Sequence, residues 1–368
     1  MKNLFIAIAI CLFSPLSWAI NAVLHELDIH SDVLQRRLKV NLYVPHNYQQ
    51  TDAKLYPLLV TSAGSSRMAV LRSQVDWLSH VDFGPMPQMI ILQLPDIEVA
   101  QKEELAQGVY TNKLAQVLHK DIFVYLKSAF RIAPYTVLEG FSSRGNIALE
   151  LFAQYPQQYQ GAIITSPALE LADEGWRKAM SKALENTLKG RSLHLSLGSF
   201  TENKPHFVAL TKPLYNFEQS SFVDLSAENY LSAPLLSFEQ GAKWLFSDMR
   251  IVDYAPYAKG GIAAVLSQQQ RANKKYDYDM SPNGKLQGLA NYYFEQGQAH
   301  KGKQVFEHLI KHNPTNVNYH LRYAQALLKI SQPIAAKPLL ESALALAKAQ
   351  RNEEAQSYIG SLINNNFH

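Results

Sequence analysis

The sequence predicts an α/β domain with a mostly parallel sheet, followed by a smaller all-α domain. The first observation is a series of short apolar runs that end in polar or glycine-containing loops, at 38–44, 56–62, 88–95, 135–140, 160–167 and 192–198. The second is that longer segments with apolar residues at 3- and 4-residue spacings, such as 114–126, lie between these runs. Such alternation of strand and helix is typical of a parallel sheet with helices on both faces. A helical pattern at 237–246 completes this domain.

The third observation is a change in the sequence after about residue 250. The stretch 268–284 is polar and ends in Pro282-Asn283-Gly284, a turn signal, so residues 251–284 are predicted to be a linker. Residues 285–368 then fit two tetratricopeptide units of 34 residues. Apolar residues fall on the matching positions of both units, namely Leu289, Ala290, Tyr293, Gly302, Phe306 and Leu309, then Tyr323, Ala324, Leu327, Ala336, Leu340 and Ala343. The alternative is a plain pair of helical hairpins, because two repeats are fewer than such arrays need on their own.

The first nineteen residues have the form of a secretory signal peptide. Lys2 gives a positive start, residues 4–13 are apolar, and small residues at the −3 and −1 positions lead to cleavage after Ala19. The single cysteine, Cys11, lies within this segment, so the mature chain has no disulfide and no thiol chemistry. We therefore expect a periplasmic or secreted protein.

The composition disfavours several classes of function. The chain has 35 Lys and Arg against 31 Asp and Glu, with no concentrated basic stripe, so nucleic-acid binding has little support. Beyond the leader there is no apolar stretch long enough to predict a membrane span. No P-loop, H-E-x-x-H or paired-cysteine motif is present, so no cofactor and no metal site is predicted. His308 and His312 share a helix face but lack a third ligand at fixed spacing.

The stretch "EGFSSRGNIALE" follows a predicted strand and precedes a helical pattern. A nucleophile elbow reads G-x-S-x-G, because the turn around the serine is too tight for side chains at the glycine positions. Gly140 stands two residues before Ser142, but Arg144 occupies the second glycine position and Gly145 comes one residue later. The stretch therefore indicates a nucleophile at Ser142, with the alternative that Ser142 and Ser143 only cap the helix.

Taken in order, five segments resemble the esterase family of the esterase D and enterochelin esterase type. They are "RRLKVNLYVPHNY", "YPLLVTSAGSS", "MIILQLP", "RIAPYTVLEGFSSRGNIALELFAQYPQQYQGAIITSPAL" and "APLLSFEQGAKWLF". The resemblance covers most of residues 28–248 and is most specific around Ser142. It implies an α/β-hydrolase fold, a three-layer sandwich, over 20–250. It also implies a serine nucleophile, a histidine near the end of the domain, an acidic partner and a small-molecule ester substrate.

The resemblance places the nucleophile at Ser142 and the oxyanion donors on the main chain. Ser143 would supply one backbone N–H, and the loop around Ala63 and Gly64 would supply the other. Because these donors belong to the main chain, changes of side chain do not abolish them. Arg144 either crowds the pocket mouth, points along the helix to solvent, or holds an anionic substrate beside Ser142.

The base and the acid have no clear counterpart. Tyr230 stands where the resemblance implies the histidine, and a phenol, which ordinarily holds its proton to about pH 10, is a poor base at neutral pH. His206, expected in the loop after Gly198, is the candidate base, and Glu202 is the candidate acid. His194 lies inside a predicted strand, where it is expected to be packed or surface-facing.

Two functions fit these observations. The first is a periplasmic serine esterase in which Ser142 attacks the ester carbonyl. The second is a catalytically degenerate hydrolase-fold binding protein that acts with a protein or peptide partner through the helical repeats. The distance from His206 to Ser142, and whether Tyr230 faces Ser142, would discriminate between them.

Overall fold

The computed structural model describes residues 22–48, 53–81, 83–95, 97 and 109–367. The predicted signal peptide, 1–19, lies outside the described residues. The chain divides into two compact units. The α/β unit comprises Ile20–Arg250 and Arg271–Met280, and the helical unit contains Ile251–Gln270 and Ser281–His368.

One sheet of eight strands forms the centre of the α/β unit, in the order β1-β2-β4-β3-β5-β6-β7-β8. The strands are β1 Val23–Ser31, β2 Arg36–Val44, β3 Tyr56–Thr61, β4 Ile90–Gln93, β5 Ile132–Phe141, β6 Gly161–Thr165, β7 Ser192–Leu197 and β8 Ser220–Asp224. The pairs β1–β2 and β2–β4 are antiparallel, and the other neighbours are parallel. The predicted mostly parallel sheet is confirmed.

Helices connect these strands, and the buried strands β3 and β6 lie within the core as their apolar runs predict. The helices are α1 Ser65–Ser79, α2 Val109–Gln116, α3 Phe123–Ala129, α4 Ser143–Gln154, α5 Glu174–Thr187, α6 Lys204–Thr211 and α7 Ala233–Leu245. A π-helical segment, Val117–Ile122, joins α2 to α3. Because β3, β5, β6 and β7 run parallel, the loops that follow them gather at one edge of the sheet, where open α/β sheets place their sites.

The segment predicted as a linker is folded instead. Helix α8, Gly261–Tyr276, runs through it. Four side chains of this segment are buried in the core of the α/β unit: Ala272, Tyr276, Tyr278 and Met280. The ring of Tyr276 packs against Tyr135 with the centroids 4.8 Å apart. The polar composition is misleading because most of the polar residues of α8 are exposed, while its buried side combines Val265, Ala272 and Tyr276 with Gln268 and Gln269.

The helical unit continues with five helices after α8. They are α9 Asn283–Glu295, α10 Ala299–His312, α11 Val317–Lys329, α12 Pro333–Ala349 and α13 Glu353–Phe367. The first pair begins at residues 283 and 299 and the second at 317 and 333, so the pair recurs after 34 residues. All the residues at the predicted repeat positions are buried. A pair of equal helical hairpins would show the same spacing, so the tetratricopeptide assignment stays a prediction. In the part of the chain that the structure describes, no helix has both the length and the apolar character needed to cross a membrane.

Candidate active site

Ser142 occupies a strained turn between β5 and α4. Its backbone has φ 59° and ψ −135°, in a region that residues other than glycine rarely adopt. The Ser142 N–H donates to the carbonyl of Thr165 at 3.1 Å, and the Ser142 carbonyl accepts from the N–H groups of Gly145 and Ala168 at 2.8 and 3.2 Å. The carboxyl end of β6 and its following loop therefore hold the turn in place. This is the geometry of a nucleophile elbow.

Two glycines allow this turn to pack closely. A Cβ atom on Gly140 would lie 2.7 Å from the Cβ of Ala148, and one on Gly145 would lie 3.1 Å from the Cα of Pro167. Gly145 thus provides the close approach that the motif ordinarily assigns to its second glycine. The side chain at position 144 meets no such restriction, because Arg144 is exposed.

Arg144 reaches back to the loop that follows β3. Its Nη1 donates to the carbonyl oxygen of Ser62 at 2.6 Å, and the Ser62 hydroxyl donates to the Arg144 carbonyl at 3.5 Å. None of the three expected roles for this side chain included such a contact. Arg144 therefore links the elbow to the loop that carries Ala63 and Gly64.

Two main-chain N–H groups, those of Ser143 and Gly64, make no hydrogen bond among the described residues. Ser143 is the first residue of α4, where the helix leaves its N–H unsatisfied and its end electropositive. Gly64 has open space beside it, since a Cβ atom at this position would have no other atom within 4 Å. The N–H of Ala63, by contrast, already donates to the Thr61 hydroxyl at 3.0 Å. Of the predicted donors, the N–H groups of Ser143 and Gly64 therefore have no competing acceptor among the described residues, and their role towards an oxyanion stays a prediction.

A buried ion pair that the sequence analysis missed lies beneath this site. The carboxylate of Glu139, in β5, accepts from the Thr61 hydroxyl at 2.5 Å and from Arg67 Nη2 at 3.1 Å. Arg67 Nη2 also donates to the carbonyl of Pro234 at 3.3 Å, so it connects α1 and β5 to the start of α7. The only signal in the sequence is a glutamate at the end of an apolar strand. The pair holds three elements of the site together, and the hydrogen bonds of Glu139 and of Arg67 Nη2 compensate part of its burial, while Arg67 Nε is buried without a partner among the described residues.

Tyr230 lies beside the elbow. Its ring centroid is 4.7 Å from that of Phe141, the residue before Ser142, and 5.4 Å from that of Phe200 in the loop after β7. No hydrogen bond joins Tyr230 to Ser142 among the residues described. The position that the resemblance assigns to the histidine is thus near the nucleophile, but it holds an aromatic contact instead of a base.

The structure does not connect His206 or Glu202 to Ser142. Glu202 is exposed in a short 3₁₀ turn, and its carboxylate accepts from the neighbouring Thr201 hydroxyl at 3.5 Å. His206 is half-buried in α6, where a loop was expected, because Pro205 at the start of the segment favours the first turn of a helix. Within the described ranges no hydrogen bond joins either side chain to Ser142. Among the described residues, neither candidate therefore forms a hydrogen-bonded triad with Ser142, and their roles as base and acid stay predictions.

Asp224, a later carboxylate, is occupied elsewhere. Hydrogen bonds from Ser226, with a further contribution from Lys204, lower the pKa of Asp224 to about 2. Lys204 Nζ lies 3.0 Å from the Asp224 carboxylate, on an exposed part of the surface. This carboxylate is thus an ionised surface group.

His194 belongs to the core. Its side chain is 1% exposed, and burial lowers its pKa to about 4. Its Nδ1 is 3.0 Å from the Ser221 hydroxyl, and a Cβ on Gly241 of α7 would lie 2.8 Å from its ring. His194 therefore packs beneath α7, one of the two placements expected for it.

The histidines of the helical unit form no metal site among the described side chains. His308 and His312 lie with ring centroids 4.2 Å apart, and His312 Nδ1 is 2.8 Å from the carbonyl of His308. No group of three or more His, Cys, Asp or Glu in the described ranges has an arrangement that could hold a metal ion.

Comparisons with known proteins bear on the family and the fold. Residues 31–209 match the model of the esterase family, described as "Putative esterase". No curated protein matches the chain. An IroE-like serine hydrolase from Shewanella oneidensis is similar in structure, with a TM-score of 0.59 and 16% identity over 79% of this chain and 99% of that one. An uncharacterised protein from Capnocytophaga ochracea gives a TM-score of 0.59 and 15% identity over 94% of this chain and 99% of that one.

At these identities the two solved structures are evidence for the fold alone. The second match covers more of the chain than the α/β unit, so it extends into the helical unit as well. The α/β unit has an α/β-hydrolase fold, and its residues 31–209 carry the sequence pattern of the esterase family.

Proposed function

We propose that this protein is an exported serine esterase that hydrolyses a small-molecule carboxylic ester through Ser142. The observation that carries the proposal is the backbone of Ser142, with φ 59°. A side chain in such a region costs about 1–3 kcal/mol, which a glycine would relieve. A serine kept there, at the N-terminus of α4, supports its use as a nucleophile.

The surrounding groups suit the chemistry of ester hydrolysis. Ser142 Oγ would attack the carbonyl carbon, and the N–H groups of Ser143 and Gly64 would stabilise the oxyanion, each contributing about 3 kcal/mol to the transition state. A base takes the Ser142 hydroxyl proton as Oγ attacks and passes it to the departing alcohol; it then takes a proton from the water that attacks the acyl-enzyme and returns it to Ser142 as the carboxylic acid leaves. His206 is the candidate base of this proposal, because it lies in the first turn of a helix that follows the carboxyl end of β7.

Reaction with a fluorophosphonate probe tests the nucleophile directly. We expect intact mass to show one label on the wild-type protein and none on Ser142→Ala. Ser143→Ala is the matched control, because it removes the neighbouring hydroxyl and keeps the backbone N–H. A folded wild-type protein that takes no label, or a Ser142→Ala protein that still takes one, would refute the proposal.

A second candidate function is a hydrolase-fold binding protein without turnover. Tyr230 favours it, because an aromatic contact with Phe141 replaces the expected histidine. The helical unit would then bind a protein or peptide partner, as helical repeats commonly do. Replacing His206 by alanine separates the two candidates. If His206 is the base of an esterase, the rate of ester hydrolysis should fall at least about 100-fold. A binding protein would show no ester hydrolysis with or without His206.

Export is supported by the leader sequence. If residues 1–19 are a signal peptide, the mature protein begins at Ile20. Intact mass of the protein from a periplasmic fraction checks this start, and a full-length chain confined to the cytoplasm would contradict it.

A further inference from the structure

We infer that Gln93 is a positioning residue, which sets the direction of the Gly64 N–H by holding the carbonyl oxygen of Ala63. The inference deepens the proposed function and rests on it, because that function uses the Gly64 N–H as an oxyanion donor. Gln93 itself would not touch the reacting atoms and acts only through the peptide group between Ala63 and Gly64.

Gln93 belongs to a row of polar residues near the carboxyl edge of the sheet. Asn41 of β2, Gln93 of β4, Thr61 of β3 and Glu139 of β5 are successive register partners. Register partners on neighbouring strands project to the same face of a sheet, so these side chains lie side by side. The row thus brings hydrogen-bonding groups from four strands to the loop that follows β3.

The row holds Ala63 at both of its main-chain groups. The Ala63 N–H donates to the Thr61 hydroxyl at 3.0 Å, and Gln93 Nε2 donates to the Ala63 carbonyl at 2.8 Å. Asn41 Nδ2 donates to Gln93 Oε1 at 3.1 Å, and this bond turns the N–H groups of the glutamine amide towards Ala63. Asn41 therefore orients Gln93, and Gln93 orients the main chain.

The bond from Gln93 reaches Gly64 through one rigid group. The Ala63 carbonyl and the Gly64 N–H belong to the same peptide, which is planar and trans, so they point in opposite directions. The Gly64 carbonyl accepts from the Met68 N–H at 2.8 Å, so the next peptide is fixed as well. Glycine is the least restricted residue of a chain, and its N–H keeps one direction only where the peptides beside it are held.

The two sides of this peptide differ in their surroundings. Ala63 is 8% exposed, and its carbonyl is bonded to Gln93, whereas Gly64 is exposed. Donation to the carbonyl also polarises the peptide, because hydrogen bonds in a chain strengthen one another. Gln93 therefore leaves the Gly64 N–H on the accessible side of the loop and makes it a better donor.

NMR can observe this peptide alone, because no other glycine of the chain follows an alanine. In protein labelled with ¹³C at the alanine carbonyls and ¹⁵N in glycine, a carbonyl–amide correlation contains a single cross-peak. We expect Gln93→Met, which keeps a long unbranched side chain and removes the amide, to move the Ala63 carbonyl resonance upfield, because losing a hydrogen bond shields that carbon. Asn41→Asp should act in the same way with Gln93 intact, since a carboxylate cannot donate and turns the amide round.

Fluorophosphonate kinetics test the effect of Gln93 on the transition state. We expect both variants to lower the maximal labelling rate, kinact, about tenfold, because the donor is displaced but still present. The probe concentration at half the maximal rate, KI, should stay unchanged, because the donor binds charge that develops only during the reaction.

Gln160→Met is the matched control for both measurements. Gln160 is half-buried like Gln93, and its Oε1 accepts from the main-chain N–H of Thr136 at 2.7 Å. It stands directly before β6, at the amino edge of the sheet. Its replacement should change neither the cross-peak of the Ala63–Gly64 peptide nor kinact.

The inference is wrong if the cross-peak keeps its position in a folded Gln93→Met protein. It is equally wrong if the peak moves while kinact stays at the wild-type value, or if Gln160→Met slows labelling as much as Gln93→Met. A wild-type protein that takes no label refutes the esterase proposal alone, and the cross-peak then still decides whether Gln93 holds the peptide.

Discussion

His194 carries a buried imidazole whose protonation opposes folding. Burial lowers its pKa to about 4 from the ordinary 6.5, so the unfolded chain binds more protons than the folded chain between those pH values. The free energy of unfolding therefore decreases as the pH falls from about 6.5 to about 4, and the full stability is present above that window. Between pH 7 and pH 5, His194 alone should lower the free energy of unfolding by about 2 kcal/mol.

We expect His194→Gln to remove this part of the pH dependence. Urea unfolding at pH 7 and pH 5 gives, for each protein, the change in the free energy of unfolding with pH. The difference between these two changes reports the contribution of His194. That difference is the quantity to compare, because burial also lowers the pKa of His119 to about 4 and affects both proteins equally. An equal change with pH in the two proteins would contradict the buried position of His194 and its lowered pKa.

Single residues of the site differ in how far the sequence reveals them. The turn at Ser142 and the start of α4 at Ser143, on which the proposed nucleophile and oxyanion donor depend, follow from the order of strand, turn and helix, which local residues determine. The pairing of Glu139 with Arg67 depends on residues far apart in the chain, and a lone glutamate in an apolar strand does not reveal its partner. The same holds for the bond from Arg144 to Ser62, which forms only once β3 and β5 are neighbours.

At the scale of elements, the link between α4 and the loop after β3 should control the oxyanion donors. Arg144→Ala removes the hydrogen bond to Ser62 and frees the loop that carries Gly64. We expect the rate of fluorophosphonate labelling to fall about tenfold, because small displacements of a transition-state donor reduce rates strongly. Arg144→Lys, which keeps a donor, should recover part of the rate.

The control for this prediction is the melting temperature, which should change little because Arg144 is exposed. An Arg144→Ala protein that labels as fast as the wild type would show that the loop keeps its place without this bond. The prediction applies only to a wild-type protein that takes the label.

Elements are predictable where burial gives them a distinct pattern. The central strands β3, β5, β6 and β7 appear as apolar runs because helices cover both of their faces. The edge strands β1 and β8 lack such a pattern, since β1 alternates irregularly and β8 is only half-buried. Helix α8 has the composition of a linker, because only a few of its residues are apolar and buried and the residues between them are polar.

On the scale of the whole molecule, the α/β unit includes residues beyond its predicted end at 250. Tyr276 is fully buried, its ring lies 5.2 Å from that of Phe246, and its hydroxyl donates to the carboxylate of Asp248. We expect Tyr276→Ala to reduce the free energy of unfolding by about 3–5 kcal/mol, as for other large aromatic residues removed from a core. Thermal or urea unfolding of the wild-type and Tyr276→Ala proteins measures this loss of free energy.

Tyr215→Ala serves as the control for that loss, since Tyr215 is 61% exposed in the same unit. A change below about 1 kcal/mol on replacing Tyr276 would mean that the segment 271–280 contributes little to the α/β unit, and that this unit ends near residue 250 as the sequence suggests.

The course of the chain between its two units also sets an order of assembly during synthesis. Residues 251–270 belong to the helical unit, and 271–280 return to the α/β unit. The sheet of the α/β unit is complete once β8 has emerged at Asp224, yet its core lacks Tyr276, Tyr278 and Met280 until more than fifty further residues have been made. The core of the nascent α/β unit therefore stays incomplete, with apolar side chains exposed, until residues 271–280 have been synthesised. A chain arrested at residue 250 would expose the same surface and would be a target for chaperones and proteases.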